Sequence, residues 1–255
     1  MSYIFIYAYN VYMNKNTSKD AYDKFASRYH KMRGDKSNFW NQYIEAPAME
    51  KLLKPIVNNK IVLDLGCGSG ISTAKFVDWG ANVIGSDISE EMIKIAREYL
   101  PNVQFDVADA EKTPYDKDTF NIVASSLTLH YLENLDFVMK EVARILKPQG
   151  VFVFSMNHPF FMNKKTVEYK GKKEYILKPY FHNDQYKWGM FDKKMVLVSY
   201  HHTFEDIFSN LKNNNFVVQN LLETRPIKEG KKLDPKGYEK TSKYPTFLVI
   251  KAKLA

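Results

Sequence analysis

Apolar residues fall along the chain in two alternating patterns: short runs rich in β-branched residues and longer segments with helical spacing. The short runs predict five strands, at residues 60–64, 82–86, 103–107, 120–125 and 151–155. The helices predicted before and between them lie at residues 20–32, 38–54, 70–78, 90–99 and 134–146. Strands that alternate with helices are typical of a parallel sheet with helices on both faces. The pattern therefore predicts a doubly wound α/β fold, in which ligands bind outside the carboxyl ends of the strands.

Two segments depart from this alternation. Residues 1–19 are expected to form a flexible lead-in. Residues 157–200 are rich in Lys, Tyr, Phe and His without a helical period, so we expect an inserted lid over a substrate site. The elements expected after the lid are a helix at 203–213, a strand at 216–222, a charged loop at 227–243 and a strand at 246–251. The predicted core domain therefore comprises residues 20–156 and 201–255.

The first strand runs into the sequence VLDLGCGSG, residues 62–70. Glycines let the backbone turn sharply and approach a ligand, and the helix that follows offers free N–H groups. Dinucleotide sites share this arrangement, but their fingerprint has a third glycine at the place where this chain has Ile71. Asp64 would repel a pyrophosphate, whereas it suits the positive amino-acid end of a sulfonium cofactor. The loop therefore favours a sulfonium nucleoside over a nicotinamide cofactor.

Acidic residues also follow the next two strands. Asp87 ends the second strand, where a carboxylate can accept hydrogen bonds from both ribose hydroxyls. Ser89 is better placed than Asp87 to cap the next helix. Asp109 and the backbone of Ala110 follow the third strand and could bind the adenine ring, although a solvated acidic loop is the alternative interpretation.

These residues, together with the runs Gly85–Met92 and Phe120–Tyr131, resemble the class I (Rossmann-like) S-adenosylmethionine-dependent methyltransferases. The resemblance is to the small-molecule, ubiquinone-methylase-like branch, or methyltransferase type 11, and it covers residues 20–155 most closely. It implies a mostly parallel seven-stranded sheet with a reversed last hairpin. It also implies S-adenosylmethionine as the cofactor and S-adenosylhomocysteine as its product.

The resemblance and the pattern together give a set of expected cofactor contacts. They are Tyr22, Tyr29 and Trp40 closing over the cofactor; Asp64, Gly66, Cys67 and Gly68 at its methionine end; Asp87 at the ribose; Ile88, Met92, Asp109, Ala110 and Glu111 around the adenine; and Ser126 below the sulfonium. The side chain of Cys67 is interpreted as a compact filler in the loop rather than as a nucleophile.

Catalysis at a sulfonium needs orientation, exclusion of water and removal of one proton. His130, after the fourth strand, is the first candidate for the base, and His202 is the second. A structural histidine is the alternative for both. The sequence has no metal-binding motif and no nucleophile elbow, so neither a metal ion nor covalent catalysis is expected.

Charge is uneven along the chain, whose net charge is +8. Residues 1–160 carry a net charge of −1, and residues 161–255 carry +9, mostly from lysine. A basic region of this kind can bind nucleic acid, although a solvated lysine-rich surface gives the same pattern. The sequence Asn157-His-Pro-Phe160 resembles a tetrapeptide of amino-methylating nucleic-acid enzymes, but it follows the fifth strand and is interpreted as the entry to the lid.

The function predicted from the sequence is S-adenosylmethionine-dependent methylation of a small-molecule acceptor on O, N or C. Lid residues Tyr180, Phe181, Tyr186 and Trp188 could line a pocket for an aromatic acceptor, or they could form the lid's own core. The alternatives are a nucleic-acid methyltransferase, for which the basic C-terminal part would be the footprint, and a non-catalytic protein that binds the cofactor. The single cysteine suggests the cytoplasm, and no apolar run is long enough to predict a membrane span.

Overall fold

The computed structural model describes residues 16–162, 164–181, 185–191 and 193–255. The helices are α1 Asn16–Gly34, α2 Ala46–Leu53, α3 Ile71–Asp78, α4 Glu90–Tyr99, α5 Leu135–Ile145, α6 Pro159–Met162, α7 Phe204–Asn213, α8 Gly230–Leu233 and α9 Pro235–Lys243. A π-helical turn at Asn41–Glu45 precedes α2, and a 3₁₀ turn at Leu129–Tyr131 precedes α5. The strands are β1 Ile61–Leu65, β2 Asn82–Asp87, β3 Gln104–Val107, β4 Phe120–Ser126, β5 Leu146–Asn157, β6 Lys164–Tyr169, β7 Lys172–Leu177, β8 Gln185–Met190, β9 Met195–Tyr200, β10 Phe216–Glu223 and β11 Phe247–Leu254.

Seven of these strands form the central sheet, in the order β10-β11-β5-β4-β1-β2-β3. Strands β1 to β5 are parallel, while β11 is antiparallel to both of its neighbours, β5 and β10. The predicted fold is therefore confirmed, including the reversed last hairpin.

The core lies on both faces of the sheet because helices cover both faces. Along β1, Val62 packs in a cluster with residues of α2 and α3, whereas Leu63 packs on the opposite face with residues of α5 and α7. Both side chains are fully buried. This explains why the strand has apolar residues facing both ways rather than in alternation with polar ones, with Asp64 as its one charged residue.

Several boundaries differ from those expected. Helix α1 begins at Asn16, so residues 16–19 are helical, and the rest of the expected lead-in lies outside the described residues. The prediction of a charged loop at 227–243 is wrong, because α8 and α9 occupy most of it. Asp234 caps α9 by accepting a hydrogen bond from the backbone N–H of Gly237, at 2.8 Å, and Pro235 suits the first helical position. The many lysines of this segment favoured the prediction of a loop, whereas the segment forms a helix whose polar face is exposed.

The inserted segment between β5 and α7 contains two antiparallel hairpins, β6–β7 and β8–β9. Each hairpin is a two-stranded sheet separate from the central one. Strand β9 lies against α1, where Ser18 Oγ accepts a hydrogen bond from the backbone N–H of Val198 at 3.1 Å. The inserted segment, called the lid below, therefore closes against the N-terminal helix. No helix within the described ranges has the length and apolar character needed to cross a bilayer.

Candidate functional site

A cavity of about 810 Å³ lies at the carboxyl ends of the central strands, which is the size of a pocket for a small organic ligand. Its wall contains four groups of residues. They are Ser18, Lys19, Tyr22 and Tyr29 of α1; the strand-end loops around Gly66, Asp87, Asp109 and Ser126; Gln185, Val198, Tyr200, His201 and His202 of the lid and its exit; and Asp206 and Asn210 of α7.

The glycine loop after β1 is fixed to the end of β2 by its backbone. The N–H groups of Gly66 and Cys67 both donate to the carbonyl oxygen of Ser86, at 2.8 and 2.9 Å. A Cβ atom on Gly66 would collide with the side chain of Thr128, whereas a Cβ atom on Gly68 would meet no atom within 4 Å. Both glycines have positive φ, at 72° and 53°. The loop therefore leaves open space beside Gly68 on the cavity wall.

Asp87 lies on the cavity wall and is held from two sides. Its Oδ2 accepts a hydrogen bond from the backbone N–H of Gly68 at 2.8 Å, and its Oδ1 accepts one from the backbone N–H of Ser89 at 2.9 Å. Burial raises the pKa of its carboxyl group. Ser89 itself caps α4 by accepting from the backbone N–H of Met92 at 3.2 Å, as its position in the sequence indicates.

Three tyrosines line the same cavity next to these loops. The hydroxyl groups of Tyr22 and Tyr131 lie 2.7 Å apart, and the ring of Tyr22 meets the rings of Tyr29 and Tyr131 edge to face. Burial raises the pKa of Tyr22 and of Tyr131, so both stay neutral phenols at physiological pH. Sequence reasoning missed Tyr131, although it adjoins the candidate His130.

A buried charge network lies behind Ser126. Glu45 Oε1 accepts hydrogen bonds from the hydroxyl groups of Ser126 and Ser155, both at 2.7 Å. Arg33 Nη2 donates to Ser126 Oγ at 2.9 Å and lies 3.6 Å from Glu45 Oε2. The π-helical turn 41–45 carries Glu45 into this position. Sequence reasoning missed the network, because neither residue stands out by spacing or neighbours.

Eleven of the expected cofactor contacts lie on the cavity wall, namely Tyr22, Tyr29, Gly66, Gly68, Asp87, Ile88, Met92, Asp109, Ala110, Glu111 and Ser126. Trp40, Asp64 and Cys67 are not among the wall residues. Trp40 packs against Phe39 and Phe161 instead. Cys67 is buried beside Phe105, and burial raises the pKa of its thiol.

Asp64 is fully buried beneath the glycine loop. Its Oδ2 accepts a hydrogen bond from Thr73 Oγ1 at 2.6 Å, while its Oδ1 has no hydrogen-bond partner among the described residues. Burial is the main cause that raises the pKa of this carboxyl group to about 7, and the nearby charge of Asp87 adds to it. The open acceptor at Oδ1 makes this carboxyl group suited to a positively charged or hydrogen-bond-donating neighbour.

The two candidate bases lie in different surroundings. The expectation that His130 stands at the mouth of the pocket is wrong: it is buried, it is not among the wall residues, and burial lowers its pKa to about 3. His202 is on the wall, with 7% of its surface exposed. Its Nε2 donates to the carbonyl oxygen of Leu132 at 2.9 Å, which leaves Nδ1 as the proton-accepting atom. Burial lowers its pKa, so it is neutral at physiological pH.

None of the four lid aromatics expected at the acceptor pocket is among the wall residues. Tyr180, for example, packs edge to face against Phe160, Phe181 and His201 within the lid and its flanks. The lid contributes Gln185, Val198 and Tyr200 to the wall instead. Within the part of the chain that the structure describes, no group of three or more His, Cys, Asp or Glu side chains could hold a metal ion.

Comparison with known proteins adds independent findings. A family model described as a methyltransferase domain matches residues 63–154. The fold resembles that of a candidate S-adenosylmethionine-dependent methyltransferase from Listeria monocytogenes, at 31% identity and a TM-score of 0.73, covering 83% of this chain and 96% of that one. It also resembles an S-adenosylmethionine-dependent methyltransferase from Mesorhizobium loti, at 28% identity and a TM-score of 0.71, covering 82% and 97%.

Among curated relatives, demethylmenaquinone methyltransferase from Chlorobaculum tepidum is 33% identical over 54% of this chain. That match spans 58% of the relative's own length. The shared part of these two chains is therefore about half of each.

Proposed function

We propose, from the premise that this chain belongs to the class I S-adenosylmethionine-dependent methyltransferases, that it methylates a small-molecule acceptor held beneath the lid. One observation carries this proposal: a single cavity whose wall includes the glycine loop and Asp87 together with residues of the lid and α7. Such a cavity can hold a cofactor and an acceptor side by side. Orienting two reactants out of contact with water is the main contribution that this chemistry requires.

The groups near the glycine loop fit a nucleoside with a positively charged sulfur. The open space beside Gly68 permits close approach of a ligand to the backbone. We propose that the carboxylate of Asp87 accepts the ribose hydroxyls, since backbone N–H groups already hold it in one orientation. Asp64 is not on the wall, but its carboxyl group lies beneath the glycine loop, where its negative charge would favour a positive group at the methionine end.

The adenine would lie between apolar and polar parts of the same wall. Ile88 and Met92, after β2, offer apolar surface, and Asp109 and Ala110, after β3, offer a carboxylate and a backbone amide. Their positions at adjacent strand ends support this proposal, because a ring bound at the end of β2 reaches the loop after β3.

When bound, S-adenosylmethionine supplies a methyl group on an electrophilic sulfonium. The chain's own contribution begins with Tyr22, Tyr29 and Tyr131, whose rings exclude water from the wall they line. We propose that His202 accepts the proton that the acceptor loses. Its position on the wall, its fixed Nε2–H and its lowered pKa support this role, because they leave a neutral Nδ1 lone pair available.

The acceptor class is supported by the size of the cavity and by one relative that is named for a small molecule, demethylmenaquinone. An aromatic acceptor is our narrower proposal. The tyrosines on the wall support it, because aromatic rings pack edge to face or offset against one another.

The proposed compartment rests on the single cysteine. Cys67 is the only cysteine of the chain, and its side chain is buried. We propose the cytoplasm, since disulfides are rare in that reducing compartment.

Calorimetric titration with S-adenosylmethionine and S-adenosylhomocysteine tests the proposal, using Asp87→Ala and, as a matched control, the exposed Asp78→Ala. We expect wild type and the control to bind alike and Asp87→Ala to lose at least about tenfold in affinity, the loss of a charged hydrogen-bonding partner. Absence of binding by the wild type, or equal binding by both variants, would refute the proposed cofactor site. Methylation of RNA or DNA in preference to small molecules would refute the proposed acceptor class.

A further inference from the structure

The charge of the cavity wall is opposite to that of the whole chain. The chain carries +8, yet the charged side chains on the wall are five carboxylates and one lysine, namely Asp87, Asp109, Glu111, Glu133, Asp206 and Lys19. Lys19 forms an ion pair with Asp23, with Nζ and Oδ2 2.7 Å apart. The cavity is therefore acidic, although the protein surface is basic.

Two of these carboxylates, Glu133 and Asp206, lie on the acceptor side of the wall, which is the part near the lid and α7. Glu133 lies in the loop before α5, near Tyr200 of the lid; burial raises the pKa of that phenol, and the charge of Glu133 raises it further. It has no hydrogen-bond or ion-pair partner within the described ranges. Asp206 lies near His202, and its Oδ2 accepts hydrogen bonds from the backbone N–H and the hydroxyl of Thr203, both at 2.8 Å. The carboxylates assigned to the nucleoside lie at other strand ends, so Glu133 and Asp206 are available to an acceptor.

His202 is an independent sign of a ligand at this place. More than nine-tenths of its surface is buried, and its Nε2 is fixed by the carbonyl oxygen of Leu132. Its Nδ1 has no partner among the described residues, and the ring forms part of the wall. An acceptor atom on the wall without a protein partner is open to a hydrogen-bond donor from a molecule bound in the cavity.

From these observations we propose that the methyl acceptor is a small amine whose ammonium group binds between Glu133 and Asp206, next to Nδ1 of His202. The inference rests on the proposed function and narrows it to N-methylation. An anionic acceptor would meet two carboxylates of its own sign, and a neutral alcohol would gain no ion pair from either of them. The ammonium group of an amine would form ion pairs with both carboxylates when it binds, and it can donate a proton to His202.

The reaction balances with groups already named. One proton of the ammonium passes to Nδ1 of His202, which becomes an imidazolium, and the nitrogen regains its lone pair. That lone pair forms the new N–C bond as the C–S bond breaks, and the electrons of the broken bond remain on sulfur, which becomes a neutral thioether. Glu133 and Asp206 raise the pKa of the bound ammonium and so hold the amine in its charged form, whereas burial and a neighbouring sulfonium would lower that pKa and promote loss of the proton.

Three probes with one aryl scaffold test this inference: phenethylamine, 2-phenylethanol and phenylacetate. Their binding is measured by calorimetry on the full chain saturated with S-adenosylhomocysteine. We expect phenethylamine to bind about tenfold more tightly than 2-phenylethanol and phenylacetate to bind least, in the order set by charge. A preference for the alcohol or the acid would overturn the inference, as would failure of all three probes to bind protein that holds S-adenosylhomocysteine. The latter result leaves the proposed cofactor site standing.

A charge-removing variant of Glu133 tests whether this carboxylate binds the ammonium group. Glu133→Gln keeps the size of the side chain and removes its charge, and Glu205→Gln makes the same change at an exposed position of α7. We expect Glu133→Gln to weaken phenethylamine binding about tenfold and to leave 2-phenylethanol binding unchanged, while Glu205→Gln alters neither. Equal loss for both probes would indicate a structural role for Glu133 and would contradict the ammonium site.

Discussion

Asp64→Asn should make the protein less sensitive to alkaline pH. The carboxyl group of Asp64 is fully buried, and its pKa is raised from 3.8 to about 7, chiefly by burial. Asparagine has the shape of the protonated carboxyl group and cannot ionise. The variant therefore resembles the wild type under acidic conditions and differs from it once Asp64 would have lost its proton.

The sign and size of the effect follow from linkage between ionisation and folding. Because the pKa is higher in the folded than in the unfolded state, the stabilisation is fully present below pH 3.8 and is lost as pH rises through about 7. From about pH 5 to pH 8, a shift of this size lowers the free energy of unfolding by about 2–3 kcal/mol. The variant lacks this loss, so its advantage over the wild type should grow by that amount.

Urea unfolding of wild type, Asp64→Asn and the exposed control Asp78→Asn, each at several pH values without cofactor, measures the difference. We expect the wild-type and control curves of unfolding free energy against pH to run in parallel, and the Asp64→Asn curve to diverge upward above about pH 5. If the Asp64→Asn curve stays parallel to the other two, the carboxyl group is not held at a raised pKa and the reasoning fails.

Two further predictions concern residues outside the cavity. His130→Phe should remove an acid sensitivity, because the lowered pKa of about 3 in the folded state means that wild-type stability is lost as pH falls below 6.5. We expect that loss to be about 2 kcal/mol between pH 7 and pH 5 in the wild type and absent in the variant, in urea titrations at the two pH values. Ser89→Ala should lower the free energy of unfolding by at least about 1 kcal/mol, through loss of the α4 cap and of the hydrogen bond that Ser89 Oγ donates to Asp23 Oδ1, against less than about 0.5 kcal/mol for Ser242→Ala on α9. Equal effects of the two serine variants would contradict the capping assignment.

The cofactor end of the cavity could be predicted because its residues follow the strands directly in sequence. A carboxylate or glycine at the end of β1, β2 or β3 must lie at the same edge of a parallel sheet, whatever the rest of the chain does. Asp87, Asp109 and Gly68 were identified in this way, and all three lie on the wall.

The acceptor end could not be predicted in the same way, because its residues come from distant elements. Tyr200 and Asp206 reach the wall only when β9 has packed against α1 and α7 has followed it. Adjacent residues in a 3₁₀ turn point about a third of a turn apart, so the turn after β4 directs Tyr131 to the cavity and His130 into the core. Sequence spacing alone does not distinguish these two outcomes.

The hairpins of the lid have a consequence for how such proteins diverge. Because β6–β7 and β8–β9 are sheets of their own, the segment enters after Asn157 and leaves before Thr203 without interrupting a strand pairing of the central sheet. The family match ends at residue 154, just before this segment. Exchange of the hairpins between relatives would therefore replace one wall of the cavity while the glycine loop and the ends of β2 and β3 stayed intact. New acceptor preferences can arise in this architecture by the inheritance of a different insert, with no change in the residues that meet the nucleoside.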